Sequence, residues 1–599
     1  MKLNSVQVSR CAWLAAAALA VTMLSLPALG HDDDDDDRDG HRCKDGKSLR
    51  LVNGRIHTMD GKDRIVSSVL LKNGRFADVG QGWHHGDDDC TRTIDLRGRT
   101  AVPGIIDNHN HIVLLGLRPG HDTRIENARS IQEVLDTFKA RTRDRGIRPG
   151  DWLTALGGFN ISQFTPPPAA ARMPTRQELD TVTPNHPVLV MQGFNGPTVT
   201  NSLGMKFFTG LTPTIPVADN GAIASGGMSV RALNALRGMQ TFDEKKRGLG
   251  YAMTYAAEVG VTTHLDQGGF PNVGEPNSDN EVDALANFDR YRAYDSLRAL
   301  HQEGKIFNRI WINFLHMETD LATPELNARL LNVFNNFGDD MVRVLGIGEF
   351  TAGNLFFAGS PVWLNGTRLV AQARWRNENH TLGFNIGGVP DWKLIIDGWQ
   401  TVHDETTKIP GLADGITNLR WVLAHVPFID TVYLDRLKNL GGGISLVGGW
   451  RYISGTATGN GPPFRLIIDN GIRSGMSSDG MQISPMNPWL GMYYAVTGKN
   501  ARGDLINAGQ LTTRKEILRL YTAANDWFLN LDGKIGTIEQ GNYGDLIVLS
   551  DDYFDSKKVS DEEIKDIYSV LTVVNGEVVH DNLNGRKRMY WNRDSRRRN

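Results

Sequence analysis

Residues 101–111 read AVPGIIDNHNH, an apolar run that closes on two histidines one residue apart. In an extended strand, residues i and i+2 point to the same face, so His109 and His111 present two imidazoles to one point at the strand's end. Two nitrogen donors converging in this way make a metal-ligand geometry, and Pro103-Gly104 marks where the run begins. Outward from it, between about 103 and 532, short apolar runs alternate with amphipathic stretches of helical period. Strands are expected near 188–192, 260–265, 310–314, 342–347, 421–424, 443–447 and 472–476. Helices are expected between them, for example at 293–304 and 430–441, the second ending on Gly441 as a helix C-cap does. Repeated β-then-α order fits a parallel barrel or a doubly wound sheet, and periodicity alone does not choose between them.

The flanks carry a different pattern. From residue 48, short β segments are punctuated by Asn53-Gly54, Asp60-Gly61 and Asn73-Gly74, which are hairpin signals. A matching set returns in GNYGDLIVLS at 541–550 and IYSVLTVVNGEVVH at 567–580. Neither set has strands enough to bury a face alone, so residues 48–102 and 533–585 are expected to form one composite β-sandwich. Residues 1–30 carry Lys2 and Arg10, an apolar run, then Pro27-Ala28-Leu29-Gly30, the pattern of a cleavable signal peptide. Residues 31–47 hold a run of aspartates and read as a solvated linker, and the basic tail 586–599 reads as a disordered end. Export implies a periplasmic or secreted protein, and an oxidising compartment in which Cys43 and Cys90 are expected to bridge.

Composition narrows the function classes. The 599 residues are 40% hydrophobic and 22% charged with a net charge of −3, an ordinary globular balance that gives no electrostatic reason to expect nucleic acid. No stretch after the signal looks like a membrane span. With two cysteines left and no CxxC pair, a thiolate zinc site is excluded. A small-molecule substrate is the partner expected, and a homo-oligomer is compatible with the sequence.

PGIIDNHNH resembles the PGxID-HxH opening of the amidohydrolase superfamily, whose first barrel strand supplies a metal-binding pair. Further matches follow in order: GVTTHLDQGG at 260–269, RWVLAHVPFID at 420–430, GIRSGMSSDG at 471–480, and the closing helix with its return to the sandwich at 511–552. The resemblance spans most of residues 48–580 and points to the branch containing N-substituted formamide deformylase. It implies a (β/α)₈ TIM barrel with a small β-sandwich, and a divalent metal, zinc first, as one ion or two. His109 and His111 become metal ligands, His425 a ligand or a group that polarises the substrate carbonyl, and Asp479 a ligand and general base. All four fall at the C-terminal ends of expected strands, the face on which barrel enzymes place their catalysis.

Two positions depart from the family pattern. Arg343, in MVRVLGIGE at 341–349, falls where a carbamylated lysine is usual, and arginine cannot form that carbamate; Glu349, on the same strand face, is the expected substitute ligand. Asn385, in FNIGG at 384–388, falls where the strand-five histidine is usual and is expected to bind substrate. His380 and His403 read as helix or loop residues, and His264 as turned to the opposite face. Trp450 and Arg451 follow the seventh strand and are expected to line the substrate pocket with an aromatic wall and a cation. Hydrolysis of an amide-like, non-peptide C–N bond by metal-activated water is the function this set implies. An impaired barrel serving as a binding or scaffolding protein, and a metal hydrolase of esters, lactones or C–C bonds, are the alternatives.

Overall fold

A computed structural model describes residues 48–80, 90–164, 170–193, 195–268, 294–455, 461–480 and 483–585. The signal segment, the aspartate-rich linker and the basic tail lie outside these residues. Cys90 is disulfide-bonded, and Cys43, its expected partner, also lies outside them. Among the described residues, no helix is long and apolar enough to cross a membrane.

Eight parallel strands lie side by side in chain order: β1 (Ile105–Asn110), β2 (Val261–Asp266), β3 (Arg309–Phe314), β4 (Val342–Ile347), β5 (Arg376–His380), β6 (Val422–His425), β7 (Gly443–Val447) and β8 (Arg473–Ser477). Helices cover the outside and return the chain to the start of the next strand, as parallel neighbours require. The helix Phe242–Val259 shows the local logic. A Thr241/Glu244 capping box opens it, and Gly260, at φ 91°, closes it in the left-handed conformation just before β2.

No backbone ladder joins β8 to β1; side chains nearly close the barrel there. Asn525 Nδ2 donates to Ile106 O at 2.6 Å and to Met476 O at 3.0 Å, while Asn108 Nδ2 donates to Asn525 Oδ1 at 2.7 Å. A Cβ on Gly475 would lie 1.9 Å from Asn525 Oδ1, so glycine is what admits this bridge. Higher up, Ser478 N donates to Asp107 Oδ1 at 2.9 Å and Asp479 N to His109 O at 2.9 Å.

The terminal segments share a sandwich. In its six-stranded sheet Thr100–Pro103 pairs antiparallel with Leu546–Leu549, with Val102 opposite Ile547. A four-stranded sheet of N-terminal strands packs on it around Leu51, Val69, Phe76, Val548 and Leu571. Arg309, at the foot of β3, ties barrel to sandwich through a buried ion pair with Asp545, Nε to Oδ2 at 2.6 Å.

Two strand expectations are corrected. Val188–Met191 is not a barrel strand: it lies in a separate five-stranded sheet, beside Leu153–Leu156, in an α/β lobe inserted between β1 and β2 with its own apolar cores. Strand five is Arg376–His380, not a segment at 384–388. Asn385 sits beyond it in a two-residue strand, Asn385–Ile386, and is exposed.

Candidate metal centre

Six side chains converge where β1, β4, β5, β6 and β8 end. His109 is the fifth residue of β1, and His111 caps the short helix Ile112–Gly116 that follows. Glu349 follows β4, His380 and His425 are the last residues of β5 and β6, and Asp479 follows β8 by two residues. His425 and Asp479 hold left-handed backbone, φ 67° and 52°. Non-glycine residues adopt that conformation at a cost and persist in it where surrounding structure enforces it, commonly at functional sites.

One ligand atom each from His109, Glu349, His425 and Asp479 lie within 4.8 Å of one another, all buried. His109 Nε2 is 3.2 Å from Glu349 Oε2, 3.6 Å from Asp479 Oδ1 and 3.2 Å from His425 Nε2. His111 Nε2 is 3.4 Å from Asp479 Oδ1 and 3.6 Å from Glu349 Oε2. His380 Nδ1 lies 2.9 Å from the same Glu349 oxygen, and its ring stacks on His425 at 4.8 Å and 10°.

The hydrogen bonds on the far sides of the rings fix what faces inward. His109 Nδ1 donates to Glu378 Oε1 at 2.6 Å and His111 Nδ1 to Gly268 O at 3.2 Å. Both Nδ1 atoms meet groups that only accept, so each neutral ring turns its Nε2 lone pair towards the oxygens of Glu349 and Asp479. Acceptors facing acceptors in a buried space require a cation or protons between them. Without a cation, protons take the place: burial would depress His111, but Glu349 and Asp479 overcome it and push its pKa up to about 10. His109 is likewise raised against the effect of burial by Asp479, Glu349 and Glu378. Burial would raise Asp479 and Glu349, but the facing histidines hold both carboxyls below the ordinary range. His425 is kept neutral by burial, down to about 3. An imidazole and carboxylate set of this kind fits a zinc-like divalent ion.

The remaining expected site residues divide. Trp450, on the helix Gly449–Ser454, has its ring 6.5 Å from that of His425, and Arg451 lies against the Trp450 face at 4.3 Å. Arg343 is not in the site. It lies at the opposite end of β4, 3.7 Å from Asp340 and over the Trp311 ring, so a lysine there would not reach the cluster either. His264 pairs with Asn110, away from the cluster, at 2.7 Å. His403 sits on the helix Asp391–Thr406, where its Nδ1 accepts from Ile416 N at 3.3 Å. His380 and Glu378 were missed as site residues. For His380 a signal existed: both His380 and Asn385 have glycine three residues on, but only His380-Thr381-Leu382-Gly383 supplies the histidine of the His-x-x-Gly pattern.

A model of the amidohydrolase family matches residues 92–580. An N-substituted formamide deformylase from Arthrobacter pascens is 23% identical over 562 residues, covering 88% of this chain and 98% of that protein. Among solved structures, an uncharacterized metal-dependent hydrolase from Pyrococcus horikoshii superposes with TM-score 0.54 at 18% identity, over 86% of this chain and 99% of the other. Atrazine chlorohydrolase from Arthrobacter aurescens, solved with zinc, gives TM-score 0.51 at 15% identity, over 89% and 96%.

Proposed function

The chain belongs to the amidohydrolase family, and from that premise we propose that it is a metal-dependent hydrolase of a non-peptide, amide-like C–N bond in a small molecule, working as an exported, periplasmic or secreted enzyme. The observation that carries the reading is the pair of Nε2 lone pairs, of His109 and His111, turned on the oxygens of Glu349 and Asp479. One ion would be held by His109, His111 and Asp479, with Glu349 able to bridge to a second held by His380 and His425. When bound, such ions supply an acidified water for attack and polarise the carbonyl.

The protein's own groups do the rest. Asp479 accepts the proton released on attack and returns it to the leaving nitrogen as the C–N bond breaks. His425, kept neutral by burial, has its Nε2 3.4 Å from Asp479 Oδ2 and 3.2 Å from His109 Nε2, free of a proton that would bar it from holding an ion. Trp450 forms a wall beside His425 and excludes water from one side of the carbonyl. The formamide deformylase relative supports a C–N bond as the target. Arg343 and Asn385, the two departures from the family pattern, lie outside the cluster, so neither argues for an impaired barrel.

The test is amine release from a panel of N-formyl and N-acyl amines by chelator-stripped protein given zinc, with esters and lactones alongside. Hydrolysis confined to the esters and lactones would move the reaction to the carbon–oxygen class. No zinc-dependent hydrolysis of any member would reject the reading.

A further inference from the structure

We propose that Glu378 is a positioning residue of the metal centre, a buried carboxylate that locks His109 with Nε2 towards the ions and strengthens it as a ligand. The inference rests on the metal-site reading above. Glu378 lies on β5 two residues before His380, so alternation sends it to the same inner face one layer deeper in the barrel. Neither Glu378 nor His109 exposes any surface, and Oε1 accepts a hydrogen bond from His109 Nδ1 at 2.6 Å. The other oxygen accepts from Asn313 Nδ2 at 3.2 Å, and that nitrogen also donates to Gln267 Oε1 at 3.0 Å. Arg376, itself buried, brings its guanidinium to 4.0 Å of Oε2.

The surroundings are shaped to this side chain. A Cβ on Gly348 would lie 2.8 Å from Glu378 Cβ and 3.0 Å from Gln267 Oε1, so glycine lets the end of β4 pass over it. A carboxylate in a barrel interior is expensive to bury, and an apolar side chain would fill the layer at less cost. Of the two histidines that follow one another on β1 and its end, His109 alone has a carboxylate behind it: His111 leans on a backbone carbonyl instead. A carboxylate on the distal nitrogen fixes the tautomer and raises the basicity of the coordinating one.

The experiment measures zinc affinity of Glu378→Gln and Glu378→Ala by chelator competition, together with the visible spectrum of the cobalt-loaded proteins. Asp545→Asn, in the remote ion pair with Arg309, serves as a control for destabilisation. Glu378→Ala is expected to weaken zinc binding about 10- to 100-fold and to alter the cobalt spectrum. Glu378→Gln keeps an acceptor without the charge and is expected to lose less; if the alanine variant does not fold, this variant decides. Asp545→Asn is expected to unfold more easily with zinc affinity unchanged. Wild-type affinity in a folded Glu378 variant, or an equal loss in Asp545→Asn, overturns the inference. Absence of stoichiometric zinc in the wild type rejects the metal site itself and is distinct from both.

Discussion

At the ligands, charge and hydrogen-bond direction decide the chemistry. Glu349 and Asp479 place two carboxylates in a buried space, and two of the imidazoles turned on them, His109 and His111, have their Nδ1 protons committed elsewhere. Proton and cation therefore compete for the same atoms. Because the cation-free site holds its protons at neutral pH, with His111 up to about 10, metal binding should release protons and weaken as pH falls. Calorimetric titration with zinc in buffers of different ionisation enthalpy measures that release directly; a binding enthalpy independent of buffer would contradict it. Asp479→Asn removes the proton acceptor at unchanged shape, and kcat should fall by about 10²- to 10⁴-fold with the circular dichroism spectrum unchanged.

At the level of the element, β5 and the β1–β8 seam carry most of the explanation. Arg376–His380 reads RNENH, with no apolar residue, yet every position is buried. Its inner face holds Arg376, Glu378 and His380; its outer face is satisfied by Thr351 Oγ1 donating to Asn377 Oδ1 at 2.8 Å and Trp363 Nε1 to Asn379 Oδ1 at 2.8 Å. Hydrophobic runs could not reveal it, whereas VLVM at 188–191 has the run of a buried parallel strand and belongs to the inserted lobe. Seven of the eight barrel strands are legible in the sequence, most from their apolar runs and RSGMS of β8 only within the family-like segment at 471–480; His109, His111, Glu349, His425 and Asp479 are legible because they lie at the ends of those segments. His380 was not, since its strand was hidden and the register moved on to Asn385. At the seam, Asn525 satisfies two backbone carbonyls and Asn108 at once. Asn525→Ala should lower stability by about 2 to 4 kcal/mol in chemical denaturation, since buried groups left unpaired cost about 1 to 3 kcal/mol each. A loss below about 0.5 kcal/mol would mean the seam is closed by other contacts.

Across the whole molecule, barrel, sandwich and inserted lobe are fastened by buried polar pairs. Asp545 holds Arg309, and Glu126 of the lobe accepts from Asn487 N at 2.9 Å, just beyond the Asp479 loop. Breaking the first by Asp545→Ala strands a buried guanidinium and should cost about 3 to 5 kcal/mol, read from the denaturation midpoint. Four histidines outside the metal cluster set the response to acid. Burial holds His264 and His316 down to about 3 and, with neighbouring arginines, His57 and His121 down to about 4. Each folded value lies below the ordinary 6.5, so the unfolded chain binds protons first as pH drops. The contribution of these four is expected to be full above about pH 6.5 and to be lost as pH falls towards 4 and then 3, measured as unfolding free energy against pH below 6.5, because in metal-free protein the raised His111 and His109 work in the opposite sense above it.

The most direct test of a hydrolytic metal centre is a zinc titration of chelator-stripped protein in which bound metal and amine release from the N-formyl and N-acyl panel are followed in the same samples. Tight binding of at least one zinc per chain, with hydrolysis rising in step with occupancy, is the expected result. Hydrolysis that does not depend on zinc, or no stoichiometric zinc at all, would contradict it.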